Sequence, residues 1–270
     1  MAKRLFENLQ HALKYAIFRP CPPQELILEI IQKTNGNQLA LDIGCGTGQC
    51  TRLLAPYFAK VIGIDVSESQ IEAANQKAEQ ILNIEYRVGP SEVLEFVQDN
   101  GVDLITCSQS LHWFDIPEFY KEAKRVLRSQ GVLAVFGYYP TEPSPNSVLT
   151  DHQIKALNDL RNHLYEDVVG KYWAPEIRLS YDFGYKTIIP LPFPNVERFD
   201  EFYIETEGTI EDFAGYIQTW SAFQTFQTAE GVEKAEEVIE NFIKSAKLTC
   251  PGVDKLLLRT RFFMLLGIKP

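Results

Sequence analysis

The chain has no cluster of lysine or arginine. It carries 26 basic residues against 36 acidic ones, a formal net charge of −10 and a pI near 5.0. Sequence-independent nucleic-acid binding needs a basic footprint, and an anionic membrane surface attracts basic segments, so both are excluded as partners. Cysteine is sparse and unpaired in pattern: Cys21, Cys45, Cys50, Cys107 and Cys250 form no Cys-x-x-Cys and stand at no histidine spacing suited to zinc. No metal is expected, and the apolar settings of these cysteines suit reduced thiols. No run approaches the roughly 20 apolar residues of a membrane span. The N-terminus, with Lys3, Arg4 and Glu7 in an amphipathic pattern, has no secretory apolar region. A cytoplasmic protein without an obligate protein partner is the expectation. Internal repeats, low-complexity tracts and linkers are also missing, so the 270 residues are read as a single domain.

What the chain does have is centred on Leu39-Ala40-Leu41-Asp42-Ile43-Gly44-Cys45-Gly46-Thr47-Gly48. A short apolar run ends in a break with glycine at alternate positions, as a buried parallel strand does where it turns sharply into a helix. Bare backbone amides and the positive helix end then face a ligand across the strand's carboxyl end. The dinucleotide fingerprint Gly-x-Gly-x-x-Gly is not met, because Gln49 stands where its third glycine belongs. Asp42 also argues against a pyrophosphate, which a carboxylate would repel, and for an ammonium or sulfonium, which it would attract. An ordinary glycine-rich turn is the plain alternative. A second apolar strand, Val61-Ile62-Gly63-Ile64-Asp65, ends in an acid 21 residues after Gly44. An acid there accepts the hydroxyls of a ribose.

The remaining pattern alternates. An amphipathic helix is expected over residues 3–17 (Leu5, Leu9, Leu13, Ile17), ended by the prolines after Phe18-Arg19. A second helix runs from Pro23 to about Thr34. After the glycine turn a helix runs to about Pro56. Ser67-Glu68-Ser69-Gln70 reads as a capping box opening a helix to about Leu82. Strands are expected at Ile84–Val88, Val102–Cys107 and Val132–Phe136, with a helix from about Pro117 to Arg128. The alternation then stops. Residues 147–170 carry a helical stripe, Tyr185–Leu191 reads as a strand, Thr209–Phe226 and residues 230–247 as helices, and Leu256–Leu266 as a last strand. The expected fold is α/β: a doubly wound, mostly parallel seven-stranded sheet with a helical cap inserted between the late strands. Its core covers about 35–140 plus late strands at about 185–191 and 256–266. The N-terminal lid covers about 1–34, and the cap segments about 141–184 and 192–250.

The glycine loop resembles motif I of the class I S-adenosylmethionine-dependent methyltransferases. Further anchors are Tyr15-x-x-x-Arg19-Pro20, His112-Trp113-Phe114-Asp115, Gly137-Tyr138, Tyr172-Trp173-Ala174-Pro175 and Thr219-Trp220-Ser221-Ala222. With them the chain, from residue 15 to about 267, is similar to the trans-aconitate methyltransferase-like small-molecule methyltransferases. It departs from that family at Ser129-Gln130-Gly131, where Pro-Gly-Gly is usual. The resemblance implies S-adenosylmethionine as cofactor, S-adenosylhomocysteine as product, and a small carboxylic acid as acceptor, methylated to an ester. It also implies that Asp42, Gly44, Cys45, Gly46 and Gly48 hold the methionyl tail, Asp65 and Val66 the ribose, Ser91 and Glu92 the adenine, and Ser108 the sulfonium side. For Glu92, an acid at a helix start is the competing reading.

Donors that would orient the acceptor are Tyr15, Arg19, His112, Trp113, Tyr138, Tyr172, Trp173, Arg178 and Trp220. Tyr15 and Arg19 form either a lid or a packed, capping pair, and the cap aromatics either touch substrate or pack. A carboxylate acceptor is ionised at pH 7 and needs no base. A hydroxyl or phenol acceptor needs one, and His112 is then the catalytic candidate, with packing under the cap as its alternative. His11, His152 and His163 sit in polar helical settings and read as surface. A protein acceptor is the further alternative. Amino-methylating nucleic-acid enzymes place an Asn/Asp-Pro-Pro-aromatic turn where this chain has Ser108-Gln109-Ser110. A non-catalytic cofactor-binding regulator would show a degraded loop, and this loop retains Asp42, its three glycines and Asp65.

Overall fold

The computed structural model describes residues 18–186 and 190–270. The helix expected over residues 3–17, with Tyr15, lies outside the described residues. The order of elements is α1 Gln24–Lys33, β1 Leu39–Ile43, α2 Gln49–Leu54, β2 Lys60–Asp65, α3 Glu68–Ala78, β3 Ile84–Val88, β4 Val102–Ser108, α4 Ile116–Val126 and β5 Leu127–Tyr138. There follow β6 Glu142–Pro143, α5 Asp151–His163, α6 Pro175–Tyr181, β7 Glu197–Phe199, β8 Tyr203–Gly208, α7 Ile210–Gln218, α8 Ser221–Glu230, α9 Val232–Thr249 and β9 Leu256–Ile268.

Five strands pair in parallel in the order β3-β2-β1-β4-β5, and β9 closes the far side antiparallel to β5. Strands covered on both faces are buried at nearly every position, as β1 and β4 are, with Asp42, Asp103 and Thr106 the polar residues among their buried ones. Side chains alternate between two cores. Ala40, Val61 and Leu104 pack with Leu26, Ile27 and Ile30 of α1 and with the cap. Leu41, Ile43, Ile62 and Ile105 pack with Phe119 and Ala123 of α4. Strand order reverses between β1 and β4, so a crevice opens at their carboxyl ends.

Nine strands, rather than seven, join this sheet. The short β6, β7 and β8 all pair with the thirteen-residue β9, which meets β8 over Leu256–Arg261 and β5 over Phe262–Ile268. The strand expected at 185–191 is not where the pattern put it. Tyr185 and Lys186 lie in a turn, 187–189 fall outside the described residues, and the extended residues come later, at 197–199 and 203–208. Tyr185 takes a left-handed φ of 57°, which an extended strand does not allow, and its ring is buried against Phe263. The helix expected over Thr209–Phe226 is two helices. They break at Thr219, whose carbonyl accepts Arg19 Nη2 at 2.7 Å, and at the extended Trp220, which is fully buried. Among the described residues no helix is long and apolar enough to cross a membrane.

Candidate active site

The carboxyl ends of β1, β2, β4 and β5 border one cleft, roofed by Arg19 and by Ile177, Tyr181 and Ser221 of the cap. Gly44 and Cys45 both donate their N–H to Ile64 O, at 2.8 and 3.0 Å, which pins the loop across β2. Gly48 caps α2 in the left-handed conformation (φ 74°), and any Cβ there would overlap Tyr86. Gly46 differs: a Cβ on it would meet nothing closer than Gln70 Oε1 at 3.5 Å, so its bare face opens on the cleft.

Asp65 borders the same space. Its Oδ2 accepts from Gly46 N and its Oδ1 from Ser67 N, both at 2.9 Å. Burial raises its pKa, and the N–H groups of Ser67, Gly46 and Val66 oppose that rise. Each oxygen keeps a lone pair for a ligand hydroxyl. Ser67 was expected to share a capping box with Gln70. Half of it forms: Gln70 N donates to Ser67 Oγ at 3.4 Å, but the Ser67 N–H is taken by Asp65. The Gln70 side chain is therefore left at the cleft, with Oε1 buried and without a partner among the described residues.

Asp42 was expected to face the ligand's positive charge, and it does not. The carboxylate is fully buried beneath the loop, accepting Thr51 Oγ1 at 2.6 Å and Thr106 Oγ1 at 2.9 Å. Burial raises its pKa against those hydrogen bonds. It ties α2 to β1 and β4, holding the loop rather than lining the cleft. Ser91 and Glu92 also stand away from the wall. Ser91 Oγ donates to Glu92 Oε1, which accepts Asp115 N at the start of α4 (both 2.8 Å). The acid serves a helix start, though the helix is remote in sequence. Val66 is half-buried beside Asp65 and is not part of the wall.

On the other side, Ser108, Trp113 and Tyr138 border the cleft as expected. Arg19, 8 % exposed, reaches over them: Nη1 donates to Tyr138 Oη at 2.9 Å and to Tyr181 Oη. This is the only charged side chain in the roof among the described residues. His112 is displaced from the wall. Its Nδ1 lies 2.6 Å from Tyr185 Oη, Nε2 is buried without a partner among the described residues, and burial pushes its pKa down to about 3. Three further candidates belong to the cap's own packing. Trp173 Nε1 donates to Tyr165 O at 3.1 Å, Trp220 packs tilted against Trp173 with ring centroids 5.7 Å apart and edge-on at 5.4 Å to Tyr165, and Tyr172 donates to Glu230. Arg178 pairs with Glu166 and Asp182. No group of metal-ligating side chains occurs among the described residues.

A Rossmann-like sheet with a glycine loop at its switch point and an acid ending the next strand is a nucleoside site, and comparisons with known proteins decide the family. A methyltransferase-domain family model matches residues 41–135. A Dictyostelium discoideum protein named as a methyltransferase is 37% identical, over 90% of this chain and 87% of its own length. The chain belongs to the class I S-adenosylmethionine-dependent methyltransferases. The Saccharomyces cerevisiae protein CRG1, named for the same cofactor dependence, is 28% identical over 93% of this chain and 91% of its own. A trans-aconitate 2-methyltransferase of Afipia carboxidovorans is 27% identical over 96% and 98%. A solved methyltransferase of Anaeromyxobacter dehalogenans superposes with a TM-score of 0.74 at 26% identity, covering 93% of this chain and 98% of that one.

S-adenosylmethionine is thus the cofactor of this methyltransferase, and the cleft suits it. The open face of Gly46 and the orphaned Gln70 Oε1 offer room and an acceptor beside Asp65. Gln70, Gln109, Tyr181 and Ser221 are wall residues that the sequence did not single out. Gln70 was absorbed by its capping pattern, Ser221 stood inside the Thr219-Trp220-Ser221-Ala222 anchor and Gln109 inside Ser108-Gln109-Ser110 without a role of their own, and Tyr181 carries no local signature.

Proposed function

We propose that this methyltransferase esterifies a small carboxylic acid. The observation that carries this reading is a cleft supplied with donors and poor in bases on its acceptor side. Over β4 and β5 the wall carries the buried Arg19 guanidinium, held by the Tyr138 and Tyr181 hydroxyls and Thr219 O, together with the Trp113 ring. A guanidinium in the cleft wall favours an anion over a neutral acceptor.

The residues that would act as bases are poorly placed for it. His112 is buried off the cleft and held neutral by burial, so its nitrogen is a weak proton acceptor near pH 7. The Cys45 thiol is pushed up by burial, and the Asp65 oxygens are engaged by backbone N–H groups. A carboxylate acceptor needs none of them, because it is already ionised. As its oxygen bonds to the methyl carbon, the carbon–sulfur bond breaks and its electron pair stays on a neutral thioether, so no proton moves. The protein's part is to desolvate and align: Gly46, Asp65 and Gln70 on one side, Arg19, Trp113 and Tyr138 on the other. The similarity to a trans-aconitate 2-methyltransferase supports an acid of this kind.

The test supplies S-adenosylmethionine labelled in its methyl group together with a panel of mono-, di- and tricarboxylic acids and phenols. Label on an acid, lost in mild alkali, is expected. Alkali-stable label on a phenol would replace ester formation by ether formation and return His112 to consideration as a base.

A further inference from the structure

Gln109 stands at the end of β4 in a left-handed conformation (φ 53°) that side chains rarely adopt. Its backbone is set by the bond from Gln109 N to Phe136 O at 2.8 Å. The carboxamide is fixed as well. One of its atoms faces Tyr138 N at 3.1 Å, and a backbone N–H only donates, so that atom is the oxygen. Ser180 Oγ of α6 donates to the same oxygen at 2.9 Å. The NH2 is therefore assigned by the network. It is buried, has no partner among the described residues, and belongs to a residue of the cleft wall. Gly137 makes room for this arrangement, since a Cβ there would overlap Gln109 Oε1. Ser221 Oγ, also of a wall residue, is likewise buried without a partner.

We infer that the Gln109 carboxamide is a binding and specificity residue for the acceptor, its NH2 donating to a carboxylate oxygen of the acid. This rests on the ester-forming reading above. Placement separates it from the cofactor: Gly46, Asp65 and Gln70 sit over β1 and β2, whereas Gln109 is pinned to β5 and the cap. A buried amide donor left unmatched is destabilising, and an acceptor oxygen removes that cost only when bound. A strained backbone held by a double-anchored side chain is the kind of local departure that accompanies ligand positioning.

The experiment uses the full chain, labelled S-adenosylmethionine and an acid from the panel that the wild type methylates. Gln109→Glu keeps the oxygen held by Tyr138 and Ser180 and replaces the donor with a second oxygen. The acceptor KM is expected to rise about 10- to 100-fold at pH 8, with cofactor affinity by calorimetry changed less than about 3-fold. As the pH falls and the glutamate takes up a proton, it donates again and the KM penalty shrinks. Gln109→Leu should raise KM without that recovery. Ser180→Ala, which touches only the anchor, should raise KM by a few fold and serves if neither replacement at 109 still binds S-adenosylhomocysteine. Unchanged KM in the folded variants overturns the inference, as does a loss of cofactor affinity that accounts for the whole effect. If the wild type methylates a phenol and no acid, the ester reading and this inference fall together. If it methylates an acid with a KM indifferent to these changes, only the role of Gln109 falls.

Discussion

Over β1 and β2 the cleft is walled largely by main chain: the glycine loop, the N–H groups it turns toward Asp65, and the open face of Gly46. Over β4 and β5 it is walled by side chains drawn from distant segments, with Arg19, Gln109, Tyr138, Tyr181 and Ser221 meeting across the cap. The first half needs only a short run of residue types in order. The second needs the cap folded onto the sheet, because groups in it are held by partners remote in sequence, as Arg19 is by Thr219 O and Gln109 by Tyr138 N and Ser180. A nucleoside cofactor is common to many reactions and can be held by local backbone geometry. An acceptor differs from enzyme to enzyme, and loops and inserts are where folds vary.

The comparison is broken most directly at Asp65. Asp65→Ala is expected to weaken S-adenosylmethionine binding about 100-fold, through the loss of charged hydrogen bonds and of the Gly46 anchor, while the acceptor KM at saturating cofactor stays near the wild-type value. Titration calorimetry with unchanged affinity would remove the ribose assignment. On the other half, Arg19→Leu should raise the acceptor KM about 10- to 100-fold, and Arg19→Lys should restore little, because a single ammonium cannot serve Tyr138, Tyr181 and Thr219 together. Equal KM values across the three proteins would take the charge out of acceptor binding.

His112 sharpens the contrast through pH. Its pKa in the fold lies near 3 and its ordinary value is 6.5. Below 6.5 the unfolded chain binds a proton that the folded chain refuses, so the stability present above that pH is lost as the pH falls toward 3. Relative to a His112→Gln variant, the wild type should lose about 2 to 3 kcal/mol between pH 7 and 4.5 in urea titrations. Turnover of the variant should remain within about 3-fold. A variant that binds cofactor normally yet turns over a hundredfold slower would restore the histidine to catalysis. The smallest effect is expected at Tyr172→Phe, which removes a bond to the partly buried Glu230: a slight loss of stability in urea titrations and no change in acceptor KM. A clear rise in KM would move the cleft's boundary outward.

Residues whose role is set by their immediate neighbours were legible in the chain. The strands β1 to β5, the glycine loop and Asp65 follow from apolar runs, a conformational need for glycine and an acid at a strand end, and all lie within residues 39–138. Asp42 was visible as an important acid, but its partners Thr51 and Thr106 lie on α2 and β4, and only their convergence made it an anchor under the loop. The same holds for His112. Its position after β4 suggested the cleft, and the burial of Tyr185 against Phe263 drew its ring inward instead. Tryptophans at 173 and 220 read equally well as lining or as packing until their rings were found packed against each other. The sequence by itself determined the five parallel strands, the glycine loop at their switch point and the cofactor class, because a parallel strand and its turn are encoded by contiguous residues. Which side chains line the cleft over β4 and β5 was decided by tertiary structure, since hydrogen bonds such as Tyr138 N to Gln109 join residues that no local pattern relates.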